Sequence, residues 1–209
     1  MKRYLTIILI VTGMALMLIP FAGDLYWLSR PVLMEGNGEI PEVGIDVVRE
    51  DGYVRGEDLQ KDIHTPPFPR EDYKTGMMVL SIPKLGLVSG VVEGTTEEYL
   101  EQGPGLYEIS PLPDEEWGNV CIAGHRNAHG SPFRYVDKLQ AGDEIVLIFN
   151  GFKYVYHTQR VFIVEPDDWT ITEPVGYNCL TLTSCHPLRP PYKRIVVRAR
   201  LKERVALEQ

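Results

Sequence analysis

Residues 144–164 read EIVLIFNGFKYVYHTQRVFIV, two β-branched and aromatic runs hinged on Asn150-Gly151. Both hinge residues tolerate positive φ, as a two-residue type I′ turn requires, so the stretch predicts a hairpin of Glu144 to Phe149 with Phe152 to Val164. The same texture continues outward. Met78 to Ile82, Leu87 to Val92, Asn119 to Ala123, Cys179 to Thr183 and Arg194 to Leu201 are further short runs broken by turn residues. Such a series predicts an all-β barrel or sandwich. Helical signals are few. Thr95 to Gln102 opens with Thr-Thr-Glu-Glu, compatible with a short capped helix, and Phe133 to Leu139 offers room for a turn or two before Gly142.

Upstream of the strands the composition changes. From Arg30 to about Gly76, Pro, Gly and acidic residues dominate and no apolar periodicity is sustained. Thr65-Pro66-Pro67-Phe68-Pro69-Arg70 is expected to be extended, because each proline fixes its own φ and turns the preceding residue away from helix. Composition alone leaves two readings of this segment, a linker and a lid across the domain. Earlier still, Lys2 and Arg3 precede an apolar run from Tyr4 to Ala22. At about 1.5 Å per helical residue that run is long enough to cross a bilayer. The two charges favour a cytoplasmic N-terminus, and Tyr26 and Trp27 suit the outer headgroup layer. A cleaved signal peptide is the competing reading, although Phe21 fits a small-residue cleavage pattern poorly. The expected organisation is a cytoplasmic tip and transmembrane anchor over 1–25, a linker or lid over 26–76, a β-domain over 77–204 outside the cell, and a tail over 205–209.

Charge and cysteine usage narrow the partners. A net charge of −8 without a basic cluster argues against nucleic-acid binding. Three cysteines, Cys121, Cys179 and Cys185, form no CxxC pair, so neither a disulfide framework nor a zinc knuckle is indicated. At least one thiol is therefore free.

Chemistry concentrates in two segments that each follow a predicted strand, Cys121-Ile122-Ala123-Gly124-His125-Arg126 and Thr181-Leu182-Thr183-Ser184-Cys185-His186-Pro187. A cysteine and a histidine at neighbouring strand ends form the arrangement that nucleophilic catalysis needs. A nearby cation stabilises both a thiolate and the charge developing on an attacked carbonyl. Arg194 supplies one. Pro187, Pro190 and Pro191 preclude a continuous element between Cys185 and Arg194, so a loop followed by a strand would return Arg194 to Cys185. Taken singly these residues have plainer readings, a structural histidine and a surface arginine, and only their joint spacing overturns them. Cys121 and Cys179 read as small buried hydrophobes. Cys121, His125 and His129 would make a metal-binding stripe on a helix, but Gly124 and the β context oppose a helix there. Asp114-Glu115-Glu116 reads as solvated surface, with a calcium site as the alternative. His186 has two open readings, tuning the thiol or solvating its loop. No cofactor or metal is expected.

These motifs resemble those of the sortases, in family order. Ile82-Pro83-Lys84-Leu85, Val92-Glu93-Gly94-Thr95, Gly103-Pro104-Gly105, Gly118-Asn119, Ala123-Gly124-His125-Arg126, Leu139-Gln140-Ala141-Gly142-Asp143, and the run ending at Cys185 with Arg194 downstream carry the resemblance from about Met78 to Leu201. It implies a closed sortase-type β-barrel with a few short helices. It also implies His125, Cys185 and Arg194 as the catalytic residues, with Ser184 departing from the family's threonine. The segments His125 to Phe133 and Cys185-His186-Pro187 are most similar to class E, with class D next. The lid triplet and C-terminal membrane helix usual in pilus-building class C are not apparent.

The activity so implied is cleavage of an LPxTG-like or LAxTG-like sorting signal between Thr and Gly through a Cys185 thioacyl intermediate. The acyl group then passes to an amine of a cell-wall precursor or another protein such as a pilin. The partners implied are thus a sorting-signal peptide, an amine and the membrane. A pilus-assembling, class C-like sortase is the alternative within the family, and two readings from other classes stay open, a hydrolytic cysteine peptidase and a catalytically silent tethered binding domain. Substrate specificity is expected to reside in the loop Pro166 to Tyr177.

Overall fold

The computed structural model describes residues 67–207. The expected membrane helix, most of the expected linker, His64 and residues 208 and 209 lie outside the described residues.

Eight strands form a closed barrel. They are β1 (Met78–Ile82), β2 (Leu87–Glu93), β3 (Gly105–Leu106), β4 (Asn119–Ala123), β5 (Glu144–Phe149), β6 (Phe152–Val164), β7 (Cys179–His186) and β8 (Lys193–Ala206). Around the barrel the order is β1-β2-β3-β4-β7-β8-β6-β5, with β5 returning to β1. Closure leaves no open sheet edge. The Asn150-Gly151 hairpin forms as its residues dictate, with φ of 49° and 77° at the two turn positions and Phe149 opposite Phe152.

The interior follows from alternation. Met78, Leu80 and Ile82 of β1 point inward and are fully buried, as do Ile145, Leu147 and Phe149 of β5. β4 differs, being buried at every position. Val120 and Ile122 belong to the core, while Asn119 and Cys121 face covering loops. The Cys121 amide donates to Ser110 Oγ at 2.8 Å, and Asn119 Nδ2 donates to the carbonyls of Ile171 and Glu173 at 2.9 and 3.0 Å. A strand covered on both faces suits the parallel pairing that β4 makes with β7.

Residues 67–76 lie against the barrel. Tyr73 is buried in the core, and its hydroxyl donates to Val91 O at 2.8 Å. Phe68 packs edge-on to Phe149 at 5.4 Å, its amide donates to Asp114 Oδ2, and Arg70 pairs with Glu93 at 2.9 Å. Among the described residues helical structure is sparse, as expected: α1 (Glu97–Leu100) and a few 3-10 turns, including Val136–Lys138 and Trp169–Thr172. α1 is shorter than the predicted Thr95 to Gln102, starting after the N-cap Thr96 and leaving out Thr95. The Thr95 amide and hydroxyl both donate to Glu108, at 3.0 Å each.

Candidate active site

The pairing of β4 with β7 builds the site. The two strands run parallel with Ala123 opposite Thr183, so their C-terminal ends reach the same barrel rim, with His125 just beyond one and Cys185 near the end of the other. The ladder continues past β4. Gly124 N donates to Thr183 O at 3.1 Å, and the buried Ser184 hydroxyl donates to Gly124 O at 2.6 Å. Ser184, the departure from the family's threonine, thus keeps a hydroxyl that ties the cysteine strand to the histidine loop.

β7 extends to His186, further than predicted, because it pairs antiparallel with β8 along its whole length. Cys185 stands directly opposite Arg194, and Arg194 Nη1 donates to Cys185 Sγ at 3.0 Å. The loop-then-strand return expected from the three prolines is what the chain does. Guanidinium stays charged at all working pH values, so a permanent positive charge rests against a partly exposed sulfur.

Cys121 and Cys179 are fully buried, as expected of apolar strand positions. Burial pushes the Cys121 thiol up to about 12 despite nearby Arg198. Cys179 is raised for the same reason, against the opposing pull of Arg198.

His125 is mostly buried, and its ring sits 4.9 Å from that of His129. Burial lowers its pKa below the usual imidazole value; Glu97 opposes that shift and His129 adds to it. The carbonyl of His125 accepts from Phe133 N at 3.0 Å, and Gly124 packs against the Phe133 ring.

Sequence reasoning missed Arg126. Its side chain is almost wholly buried and pairs with Asp137 at 2.9 Å. Nη1 reaches Cys185 O at 3.3 Å and His186 Nδ1 at 3.1 Å. A guanidinium has no acceptor, so His186 Nδ1 must accept and any proton of the neutral ring sits on Nε2. One buried cation therefore joins the histidine loop, the 3-10 turn at Val136–Lys138 and the cysteine backbone. Its position directly after His125 was the only available signal.

The predicted specificity loop carries an exposed Trp169 edge-on to Tyr107 at 6.2 Å. The Tyr107 and Thr183 hydroxyls share a hydrogen bond of 2.8 Å. Arg198 holds the loop from below, donating to Ile171 O at 2.9 Å. The acidic turn at Asp114 to Glu116 is used structurally, Glu115 Oε1 accepting from Leu112 N at 2.8 Å and Asp114 Oδ2 from the Phe68 amide at 2.8 Å. His157 pairs with Glu144 at 3.6 Å, on β6 and β5.

Comparison with known proteins agrees with this geometry. The family model of the sortase domain matches residues 80–202. Sortase SrtE1 of Streptomyces coelicolor is 35% identical over 143 residues, covering 61% of this chain and 41% of that protein. Sortase D of Bacillus subtilis is 36% identical over 110 residues, 52% of this chain and 54% of that one. The chain thus spans about half the length of the curated relatives it matches. Among solved structures, sortase E1 from Streptomyces coelicolor with a tripeptide in the active site superposes with a TM-score of 0.59 at 31% identity, over 63% of this chain and 90% of that one.

Proposed function

The chain belongs to the sortase family, and on that premise we propose that it is a membrane-anchored cysteine transpeptidase acting on LPxTG-like or LAxTG-like sorting signals. The observation that carries the reading is the 3.0 Å contact of Arg194 with the partly exposed Cys185 sulfur. The Cys185 thiolate attacks the threonine carbonyl carbon of the signal. Carbon–sulfur bond formation leaves an oxyanion, which Arg194 is positioned to hold. The Thr–Gly bond breaks as His125 gives its proton to the departing glycine amine. An incoming amine, from a cell-wall precursor or a protein, loses its proton to His125, attacks the thioester and releases the thiolate. Atoms and charge balance over the cycle, and no cofactor takes part.

Similarity to sortases named E and D supports a class E-like assignment. The tripeptide in the active site of the Streptomyces coelicolor enzyme supports a peptide ligand for the equivalent rim. The apolar run from Tyr4 to Ala22 supports a single-pass anchor with the barrel outside the cell.

Mass spectrometry after incubation with LPxTG and LAxTG peptides, with and without a glycine-based amine, tests the proposal. A Cys185 adduct that resolves into an amine-linked product is expected. An adduct resolved only to acid, whichever amine is supplied, would instead mark a peptidase. No adduct on a folded protein with a free Cys185 would sink the enzymatic reading.

A further inference from the structure

Sequence spacing groups His125 and His129 with Cys121, but Cys121 is turned into the barrel wall, where its thiol donates to Asn119 O at 3.3 Å. Glu97 of α1 takes the third place instead. Its Oε1 lies 3.7 Å from His125 Nε2 and 3.6 Å from His129 Nε2. Donor atoms of these three residues all fall within 4.8 Å of one another, and among the described residues they form the one such group of three. Tetrahedral coordination with bonds of about 2.0–2.2 Å sets donor atoms about 3.3–3.6 Å apart. The separation to His129 sits at the upper edge of that range and that to His125 just beyond it, within reach of a small rotamer adjustment. They are also too long for hydrogen bonds. His125 Nε2 is buried with no hydrogen-bond partner, a condition that a bond to a metal would relieve. Glu101 Oε1 lies 3.8 Å from His129 Nε2, at the margin of this group rather than within it.

We propose that Glu97, His125 and His129 form an inhibitory site for a divalent transition metal ion of the zinc type. Two imidazoles and one carboxylate suit Zn²⁺, whereas Ca²⁺ and Mg²⁺ prefer all-oxygen ligands. Glu97 and His129 are solvent-accessible, so an ion can enter without opening the barrel. Metal on Nε2 leaves the ring proton on Nδ1, and an imidazole so occupied takes up no second proton. The metal site itself is independent of the reaction proposed above; its inhibitory effect rests on that reading of His125.

The test uses the full chain in two arms. In the first, Zn²⁺ is titrated calorimetrically into the Cys185→Ala variant, which removes the accessible thiol as a competing ligand. One ion per chain is expected to bind. Adding Glu97→Gln or His129→Asn should weaken it by at least ~100-fold, since even outer-shell changes cost 10–100-fold; asparagine is chosen because His129 has a φ of 47°, which asparagine tolerates. In the second arm, Zn²⁺ is added to the protein with Cys185 intact, and peptide turnover should stop and return with chelator. Glu97→Gln and His129→Asn, assayed in chelator and then in Zn²⁺, should need ~100-fold more metal for the same inhibition. Absence of binding in the Cys185→Ala chain, or binding indifferent to both substitutions, overturns the metal site and leaves the transpeptidase reading intact. Site-specific binding with unaltered turnover overturns the inhibitory role, and with it His125 as proton carrier.

Discussion

Replacing Gly124 by alanine would set a methyl carbon 2.6, 2.8 and 2.9 Å from three carbons of the Phe133 ring. Carbon atoms in contact rest about 3.5–4.0 Å apart, so the overlap approaches ~1 Å. Neither partner is free to retreat. Phe133 is fully buried in the core, and its amide is bonded to His125 O. Gly124 is pinned on the other side, its amide on Thr183 O and its carbonyl under the Ser184 hydroxyl. Overpacking of this kind costs about 1–3 kcal/mol. With a urea dependence of about 2 kcal/mol per molar, the unfolding midpoint should fall by roughly 0.5–1.5 M. Urea unfolding of Gly124→Ala, Phe133→Ala and the double variant checks this. With the ring removed, alanine should cost under ~0.5 kcal/mol, a coupling of at least ~1 kcal/mol between the two positions. Equal costs of alanine in both backgrounds would refute the steric argument.

Other expectations concern the site itself. Iodoacetamide should modify Cys185 alone in the native protein and all three cysteines after unfolding, because Cys121 and Cys179 are buried with raised pKa values; peptide mapping showing native Cys121 or Cys179 labelled would contradict the packing. Arg194→Lys should lower kcat/KM by ~10²–10³-fold, as removal of an oxyanion donor does, since an ammonium cannot reproduce the planar fork; near-normal kinetics would reassign Arg194. Burial depresses the pKa of His125 in the folded state, so between that value and the unfolded value of about 6.5 the unfolded chain binds more protons. Stability contributed this way is complete above about pH 6.5 and is lost as pH falls through the window. Urea midpoints from pH 7.5 down to 5 should therefore drop more steeply for the natural chain than for His125→Gln, and parallel slopes would refute the sign.

Most of the barrel was legible because its strands carry their own periodicity and turn chemistry. Asn150-Gly151 needs no tertiary help to turn. Arg194 could be returned to Cys185 because three prolines left the chain no other regular path. What stayed hidden depends on contacts between distant segments. β3 has two residues and exists only through its pairing with β2 and β4. α1 begins later than predicted, with Thr95 bonded to Glu108 instead of joining the helix. The Arg126–Asp137 pair and the approach of Glu97 to two histidines have no local pattern at all. Charged residues read from sequence as solvated surface can meet only after the loops between strands have been placed.

The order in which the barrel is completed decides when Cys185 acquires its neighbouring cation. β8 is the last strand in chain order, yet it bridges β6 and β7 and carries Arg194. A nascent chain delivered N-terminus first holds Cys185 for an interval without its guanidinium. The thiol and its cation meet only when β8 docks, so the step that closes the barrel also sets the charge beside the sulfur.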